Sequence, residues 1–123
     1  MVTYFSNGKK SAEWERINGW VQGPFKYYYG NGQLWFETQY KDDNQTGNRK
    51  TYYENGKLKS EEEFANDQLN GPSKYYYPNG KLEREMNYKL DQLDGECKFY
   101  SQSGHLVKTE IYYDGNLIKE TKS

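Results

Sequence analysis

The sequence predicts an all-β fold, an elongated and curved antiparallel β-meander in which 24-residue β-hairpin repeats form a single sheet. Three observations predict it. An Asn-Gly pair recurs every 24 residues, and a second turn signal falls midway between those pairs. The segments between the turns are rich in tyrosine and show no helical periodicity. Repeats of this kind stack into one continuous array, so the 123 residues are expected to form one domain.

Two alternating series of turn residues set the lengths of the strands. Asn-Gly and Asp-Gly pairs tolerate positive φ at both central residues, as the type I′ turn of a two-residue hairpin requires. Both series are therefore predicted to form such turns, which gives a meander of up to about eleven strands. The first series is Asn7-Gly8, Asn31-Gly32, Asn55-Gly56, Asn79-Gly80 and Ser103-Gly104. The second is Asn18-Gly19, Asp42-Asp43, Asn66-Asp67, Leu90-Asp91 and Asp114-Gly115.

The Asn-Gly turns also predict which residues face each other across each hairpin. Centring a hairpin on its Asn-Gly pair places a lysine opposite a glutamate and a strand glycine opposite an aromatic residue. Facing opposite charges and rings that cover glycines both stabilise sheets, so the two series support one register. The charge pairs are Lys26–Glu37, Lys50–Glu61 and Lys74–Glu85; the glycine pairs are Gly23–Tyr40, Gly47–Phe64, Gly71–Tyr88 and Gly95–Tyr112.

Alternation of side chains along each strand separates two faces of the sheet. We call one the core face, because it is predicted to carry most of the apolar side chains. In the first complete repeat these include Val21, Phe25, Tyr27, Phe36 and Tyr40. We call the other the polar face, because it carries lysine, glutamate and one tyrosine per repeat.

The same period predicts the boundaries within the single domain, residues 1–123. A partial repeat is followed by four complete repeats and a short tail. The partial repeat covers 1–22, the complete repeats cover 23–46, 47–70, 71–94 and 95–118, and the C-terminal tail covers 119–123.

Composition argues against several classes of function. The formal net charge is −1, so no charge excess draws the chain to nucleic acid. No apolar run is long enough to cross a bilayer, so an integral membrane segment is not expected. The N-terminal stretch MVTYFSNGKK lacks the apolar region of a signal peptide. A cytoplasmic location is therefore expected, unless an upstream segment has been trimmed.

Catalysis is not expected, because a catalytic centre breaks a repeat and this one keeps its register throughout. His105 occupies the position of Gln33 in an earlier repeat, which predicts an ordinary exposed strand residue. Cys97 occupies the core-face position of Phe25, with no nearby histidine to activate it. No His, Cys, Asp or Glu cluster has metal-ligand spacing, so neither a metal nor a cofactor is expected.

The polar face is the candidate site for a binding partner. A regular row of tyrosines supplies contact area at low entropic cost, as in protein interfaces. The same residues equally fit a solvated face that charge pairs and ring stacking keep soluble. Trp35, which lysine, glutamate and valine replace in the other repeats, is the best single anchor, followed by Trp14 and Trp20. The candidate residues are Tyr28, Trp35, Tyr52, Tyr76, Tyr100, Lys26, Lys50, Lys74, Glu37, Glu61 and Glu85.

Stretches such as YYENGKLKSEEEF, from Tyr52 to Phe64, resemble the bacterial variant of the MORN (membrane occupation and recognition nexus) repeat. The resemblance runs from Tyr4 to Leu117 and implies stacked β-hairpins in a curved sheet. Bacterial proteins with this variant are often classed as antitoxins or immunity proteins. The resemblance therefore implies a protein partner and, more narrowly, a cognate toxin. The unit has fewer glycines than the eukaryotic form, which weakens any transfer of the lipid-binding role sometimes assigned to that form.

We therefore expect a non-enzymatic protein–protein interaction module. The alternative is a carbohydrate- or cell-wall-binding module, because GWVQGPFKYYYGNG superficially resembles the aromatic repeats of such proteins. A weaker alternative is association with an anionic lipid or membrane surface. The glutamates that match each lysine series argue against it, because they cancel the positive charge that such a surface would attract. Open strands at the two ends of the sheet would also allow edge-to-edge self-association.

Overall fold

Antiparallel hairpins account for the regular structure in the computed structural model, which describes residues 1–123. The strands form one open sheet, so the predicted all-β hairpin fold is confirmed. No helix that could cross a membrane is present. The strands are β1 (Val2–Tyr4), β2 (Lys10–Ile17), β3 (Trp20–Tyr28), β4 (Leu34–Lys41), β5 (Asn44–Gln45), β6 (Gly47–Tyr52), β7 (Leu58–Ala65), β8 (Gln68–Leu69), β9 (Gly71–Tyr76), β10 (Leu82–Lys89), β11 (Gln92–Leu93), β12 (Gly95–Tyr100), β13 (Leu106–Tyr113) and β14 (Asn116–Lys122).

Eleven of the fourteen strands follow one another across the sheet, and three very short ones, β5, β8 and β11, pair back with the strand before them. The strand that follows each short strand begins with a glycine of positive φ. Gly47 has φ of 90° and Gly71 has φ of 121°. Such values are costly for residues with a Cβ atom. A Cβ added to Gly71 would also lie 3.3 Å from the Cβ of Glu63, so these positions require glycine.

The two series of turns differ in type, and the type I′ prediction is correct for only one of them. Asp42 and Asp43 have φ of 49° and 67°, as type I′ requires. In the Asn-Gly series only the glycine has positive φ, 91° at Gly32. The Tyr29 carbonyl accepts from the Gly32 N–H at 2.9 Å, and the Tyr29 N–H donates to the Gln33 carbonyl at 2.8 Å. The prediction is wrong here, because this is a three-residue loop closed by a glycine bulge.

The predicted register survives the change of turn, because the bulge is confined to the end of each hairpin. Lys26 faces Glu37 as predicted, and every strand glycine of the second series faces its aromatic partner. Next to the loop the register shifts, so that Tyr28 faces Leu34. Trp35 therefore falls at the shift, where simple alternation no longer predicts the direction of a side chain.

Burial follows the predicted division into two faces. A single sheet has no second layer to cover its core face, so large rings such as Tyr27 and Tyr40 stay half-exposed. Eight residues are buried, and strand alternation places all of them on the core face. They are Ala12, Val21, Thr38, Ser60, Ser73, Met86, Cys97 and Glu110.

Hydrogen bonds from repeated side chains join each repeat to the next along the edge that carries the Asn-Gly loops. The second tyrosine of each Tyr-Tyr pair donates its hydroxyl to a backbone carbonyl in the following repeat. The donor–acceptor pairs are Tyr29 to Tyr52 at 2.7 Å, Tyr53 to Tyr76 at 2.6 Å and Tyr77 to Tyr100 at 2.6 Å.

The aspartates of the type I′ turns join the repeats along the opposite edge. The Asp67 N–H donates to the Gln45 carbonyl at 2.8 Å, and the Gln45 N–H donates to the Asp67 carboxylate at 2.7 Å. The same reciprocal bonds link Asp43 with Val21 and Asp91 with Leu69. The repeated tyrosine and aspartate side chains thus hold the array together.

The last strand departs from the repeat in its register. Lys119 stands where the four complete repeats have a glycine with positive φ. Without that glycine, Thr109 faces Thr121, whereas the pairing of the other repeats would place Lys122 there. A pair of glutamates and a pair of lysines face each other as a result. Facing like charges destabilise a sheet, so avoiding positive φ at a lysine outweighs that cost.

Candidate functional site

The charge pairs predicted within hairpins continue between hairpins, so that one row of alternating charges crosses the polar face. Each lysine faces a glutamate on both neighbouring strands, except the last lysine, which faces Thr109 on one side. Lys26 Nζ lies 3.8 Å from Glu37 Oε2. Four lysines and four glutamates give this charge row no net charge. The charge row is Glu13, Lys26, Glu37, Lys50, Glu61, Lys74, Glu85 and Lys98.

Four half-buried tyrosines lie beside the charge row, and we call them the tyrosine row: Tyr28, Tyr52, Tyr76 and Tyr100. The hydroxyl of Tyr28 donates to Glu13, and the hydroxyl of Tyr76 donates to Glu61 at 3.4 Å. Burial, with the hydrogen bond to Glu13, raises the pKa of Tyr28 to about 12. The bonds from Tyr28 and Lys10 lower the pKa of Glu13. The charged carboxylate thus fixes the orientation of the neutral phenol.

The structure brings ten of the eleven predicted site residues together on this face: the tyrosine row with Lys26, Lys50, Lys74, Glu37, Glu61 and Glu85. Glu13 belongs with them and is absent from the predicted set. Its signal lies in the sequence, because it stands one 24-residue period before Glu37. The irregular first copy, which lacks the preceding Lys-Tyr-Tyr segment, conceals it.

Trp35 does not join the tyrosine row. The centroid of its ring lies 5.8 Å from that of Tyr29, 6.4 Å from Tyr27 and 4.9 Å from Phe36, all core-face residues. The register shift beside the loop turns its side chain toward the core face. Lys59 behaves in the same way in the next repeat, where its Nζ lies 5.6 Å from the centroid of the Tyr53 ring. Trp35 remains 42% exposed, but it is available to a partner only from the other side of the sheet.

Aromatic stacking on the core face is concentrated in the first two hairpins. Trp14 stacks on Phe25 with ring centroids 4.8 Å apart, and Phe25 stacks on Tyr27 at 4.7 Å. Tyr27 in turn stacks on Phe36 at 4.4 Å. The rings therefore cover one another in the absence of a second layer.

Cations take the place of some of these rings in the later repeats. Arg84 Cζ lies 4.3 Å from the centroid of the Tyr75 ring, and Lys108 Nζ lies 4.7 Å from that of Phe99. Glu62, in the middle of a run of three glutamates, turns to this face and accepts from the Tyr75 hydroxyl at 3.0 Å. These charged side chains are parts of the core face and stabilise its rings.

The residues considered for catalysis lie apart from one another. Cys97 is completely buried on the core face, and burial raises the pKa of its thiol, which keeps it in the less reactive protonated form. His105 is exposed directly after the last Asn-Gly-type loop. No group of three or more His, Cys, Asp and Glu side chains is arranged to hold a metal ion.

The fold and the polar face define a repeat protein of the open-sheet class, in which hairpins of equal length are hydrogen-bonded each to the next. The family model for the MORN repeat variant matches four segments: 21–42, 45–66, 69–90 and 93–114. The matches recur with the period of the sequence and cover most of the chain. The chain belongs to the MORN repeat variant family.

Among solved structures, the chain is similar to part of TarM. A crystal structure of TarM matches 91% of this chain and 21% of the TarM chain, with a TM-score of 0.53 and 11% identity. A structure of an S. aureus TarM glycine-to-arginine mutant, in complex with fondaparinux, α-GlcNAc-glycerol and UDP, matches the same shares with a TM-score of 0.54 and 10% identity. This chain thus spans about a fifth of TarM, and the likeness shows a shared fold alone. No curated protein sequence matches the chain.

Proposed function

We propose that the chain is a non-enzymatic module that binds a protein partner through its polar face. The observation that carries this proposal is the tyrosine row, four equivalent half-buried rings that stand beside charged residues on one sheet. Rings that are already oriented lose little conformational entropy on binding. Membership of the MORN repeat variant family supports a repeat-based binding module.

The absence of net charge along the charge row bears on the kind of partner. Each lysine is balanced by a glutamate, so the face offers no excess positive field for nucleic acid or anionic lipid. The charge row instead favours a protein partner whose surface carries a complementary pattern of alternating charges. Such complementarity contributes to specificity in protein interfaces.

The narrower form of the proposal is that the partner is a bacterial toxin and the chain its immunity protein. This form rests on the resemblance of the repeats alone. Coexpression with the captured partner tests it: the chain should relieve growth inhibition by that partner. If the partner does not inhibit growth in any compartment of the host, the toxin–immunity proposal is wrong. The proposal of protein binding through the polar face would be unaffected.

Photo-cross-linking tests the broader proposal. p-Benzoylphenylalanine replaces Tyr52 in one variant and Tyr113 in a control, because Tyr113 is exposed but outside the tyrosine row. Both variants are expressed in the native host and irradiated, and the adducts are identified by mass spectrometry. The proposal expects one dominant protein adduct from position 52 that is absent from position 113.

Calorimetry with the purified partner then measures the contribution of the tyrosine row. Tyr52→Ala and Tyr76→Ala should each weaken binding by about tenfold or more, as truncated interface anchors do. Tyr113→Ala should leave the affinity unchanged. Full affinity in both row variants, or no specific adduct from position 52, would refute binding through the polar face.

A further inference from the structure

A cavity of about 340 Å³ lies at the N-terminal end of the array, where β1, β2 and β3 adjoin. Among the residues lining it, Glu13 and Glu15 contribute carboxylates and Val2 and Pro24 contribute apolar surface. Val2 faces Glu13, and Glu13 faces Lys26, so strand alternation places the cavity on the polar face. It therefore adjoins the tyrosine row, whose first member bonds to Glu13.

Some of the charged side chains at the cavity already have hydrogen-bond or ion-pair partners, and one does not. Glu13 accepts hydrogen bonds from Tyr28 and, at 3.1 Å, from Lys10. Lys26, at the edge, lies 3.8 Å from Glu37 in the charge row. Glu15 makes no ion pair and no side-chain hydrogen bond, and it is the one carboxylate of the cavity left to bind a cation.

Exposed apolar side chains lie directly beside Glu15. Ile17 and Trp20 face each other across the hairpin and are 56% and 51% exposed. Both lie on the polar face, next to the first type I′ turn. A tryptophan that is half open to water beside a concave site is the usual chemistry of a protein-binding anchor.

The repeat itself marks this corner as unusual. The position of Trp20 is held by an amide side chain in all the other copies: Asn44, Gln68, Gln92 and Asn116. The hairpin folds with an amide there in each later copy, so the fold does not require tryptophan. The substitution exposes a large apolar ring at a position where the array otherwise presents a solvated amide.

We propose that this corner, defined as Glu13, Glu15, Ile17, Trp20 and Pro24, receives a basic segment of a protein partner. An arginine or lysine of that segment binds Glu15, and a neighbouring apolar side chain packs on Trp20 and Ile17. The two cations at the cavity are already engaged, Lys26 with Glu37 and the Met1 ammonium with the Trp14 carbonyl. An acidic segment would therefore meet two carboxylates and no free cation, so charge complementarity selects a basic one. The inference rests on the proposed function, since it names the chemistry of the partner at one end of the same face.

The experiment uses the full chain, labelled with 15N, and three probes followed by two-dimensional NMR. The probes are the peptides acetyl-Leu-Arg-Leu-amide and acetyl-Leu-Gln-Leu-amide and the sugar chitotriose. The indole N–H signal of Trp20 and the backbone amide signal of Glu15 report on the corner, and the indole N–H signal of Trp35, on the core face, serves as an internal control. The arginine peptide should shift the corner signals saturably and bind about tenfold more tightly than the glutamine peptide.

Variants assign that binding to the corner. Glu15→Gln should weaken the arginine peptide about tenfold. The matched control is Glu63→Gln, at the same position two repeats later, where the carboxylate already accepts from Asn48 at 2.8 Å. This control should leave the peptide affinity unchanged. Trp20→Asn, which installs the residue of the next copy, should also weaken the peptide, and the dispersion of its spectrum shows whether it is folded.

Several outcomes overturn the inference. Equal binding of the two peptides would leave an apolar surface without selection for a cation. If neither peptide saturates the shifts below about 10 mM, a concentration that corresponds to a binding free energy of about 3 kcal/mol, the corner is not a binding site. Saturable shifts with chitotriose alone would reassign the corner to carbohydrate. If the cross-linked partner binds through Tyr52 with full affinity for Glu15→Gln, the corner fails while the proposed function stands.

Discussion

Tyr53→Phe removes a single oxygen atom from the bond that links the second complete repeat to the third. The Tyr53 hydroxyl donates to the Tyr76 carbonyl at 2.6 Å. Burial, with the nearby charge of Glu83, raises the pKa of Tyr53, so the group is a neutral donor at pH 7. The adjacent Tyr52 lies on the polar face, and its hydroxyl makes no hydrogen bond within the chain. The two residues therefore form a matched pair for one substitution.

The size of the effect follows from the geometry of the bond. A net hydrogen bond contributes about 0.5–1.5 kcal/mol, and an acceptor left unpaired in a partly buried site adds to the loss. Tyr53→Phe should lower the free energy of unfolding by about 1–2 kcal/mol. Tyr52→Phe should change it by less than about 0.5 kcal/mol, as surface substitutions do. Both changes make the ring equally more apolar, so their difference isolates the bond between the repeats.

Urea unfolding followed by tryptophan fluorescence and by far-ultraviolet circular dichroism measures both variants. The chain offers three tryptophans, all within residues 14–35, so the fluorescence reports on the first hairpins and the dichroism on the whole sheet. Tyr29→Phe, which removes the equivalent bond one repeat earlier at 2.7 Å, should cost a similar amount. Losses that agree within about 0.3 kcal/mol for Tyr53→Phe and Tyr52→Phe would refute the assignment of this bond as a link between repeats.

Three further predictions concern the backbone and the pH dependence. Gly71→Ala should cost about 1–2 kcal/mol in a thermal melt because of its positive φ, whereas Gly30→Ala, with open space around it and ordinary φ, should be neutral or slightly stabilising. Lys119→Gly should restore the glycine bulge and move the interstrand NOEs of Thr109 by one residue; unchanged NOEs would show that the glycine does not set this register. The raised pKa of Tyr28, about 12 against an ordinary value near 10, stabilises the fold fully below pH 10, and this contribution is lost as the pH rises toward 12. Urea midpoints between pH 9 and about 12 should therefore fall less steeply for Tyr28→Phe than for the unmodified chain.

The register of the sheet could be predicted because several independent side-chain series depend on it. Lys50 faces Glu61 and Gly47 faces Phe64, as a count from the turn requires. The type of that turn could not be predicted from Asn-Gly alone, since the pair suits a type I′ turn and also the last two residues of a bulged three-residue loop. Both loops give the same pairing along most of the hairpin, and they differ only beside the loop, where Trp35 lies.

Alternation along the strand predicts that Tyr28 lies on the polar face and that its neighbour Tyr29 lies on the core face. The hydrogen-bond partners of the two rings could not be predicted. Only the structure shows that the hydroxyl of Tyr29 reaches the carbonyl of Tyr52 and that the hydroxyl of Tyr28 donates to Glu13. Equivalent positions of neighbouring repeats are about 10 Å apart in the sheet. The period of the sequence does not show which hydroxyl can reach an acceptor over that distance.

The bonds of Tyr53 and Asp67 to neighbouring repeats have a consequence for how such a chain can change its length. Each bond joins one fixed position of a copy to another fixed position of the adjoining copy. The deletion or duplication of any window of one period therefore leaves every remaining donor opposite an acceptor. Unequal recombination within the coding sequence could therefore lengthen or shorten the sheet by two strands at a time, without a compensating substitution. Each such step changes the length of the sheet by about 10 Å. Lineages of this architecture should differ in copy number more readily than in the residues that join the copies. Positions such as that of Trp20, which no neighbouring copy requires, are left to diverge.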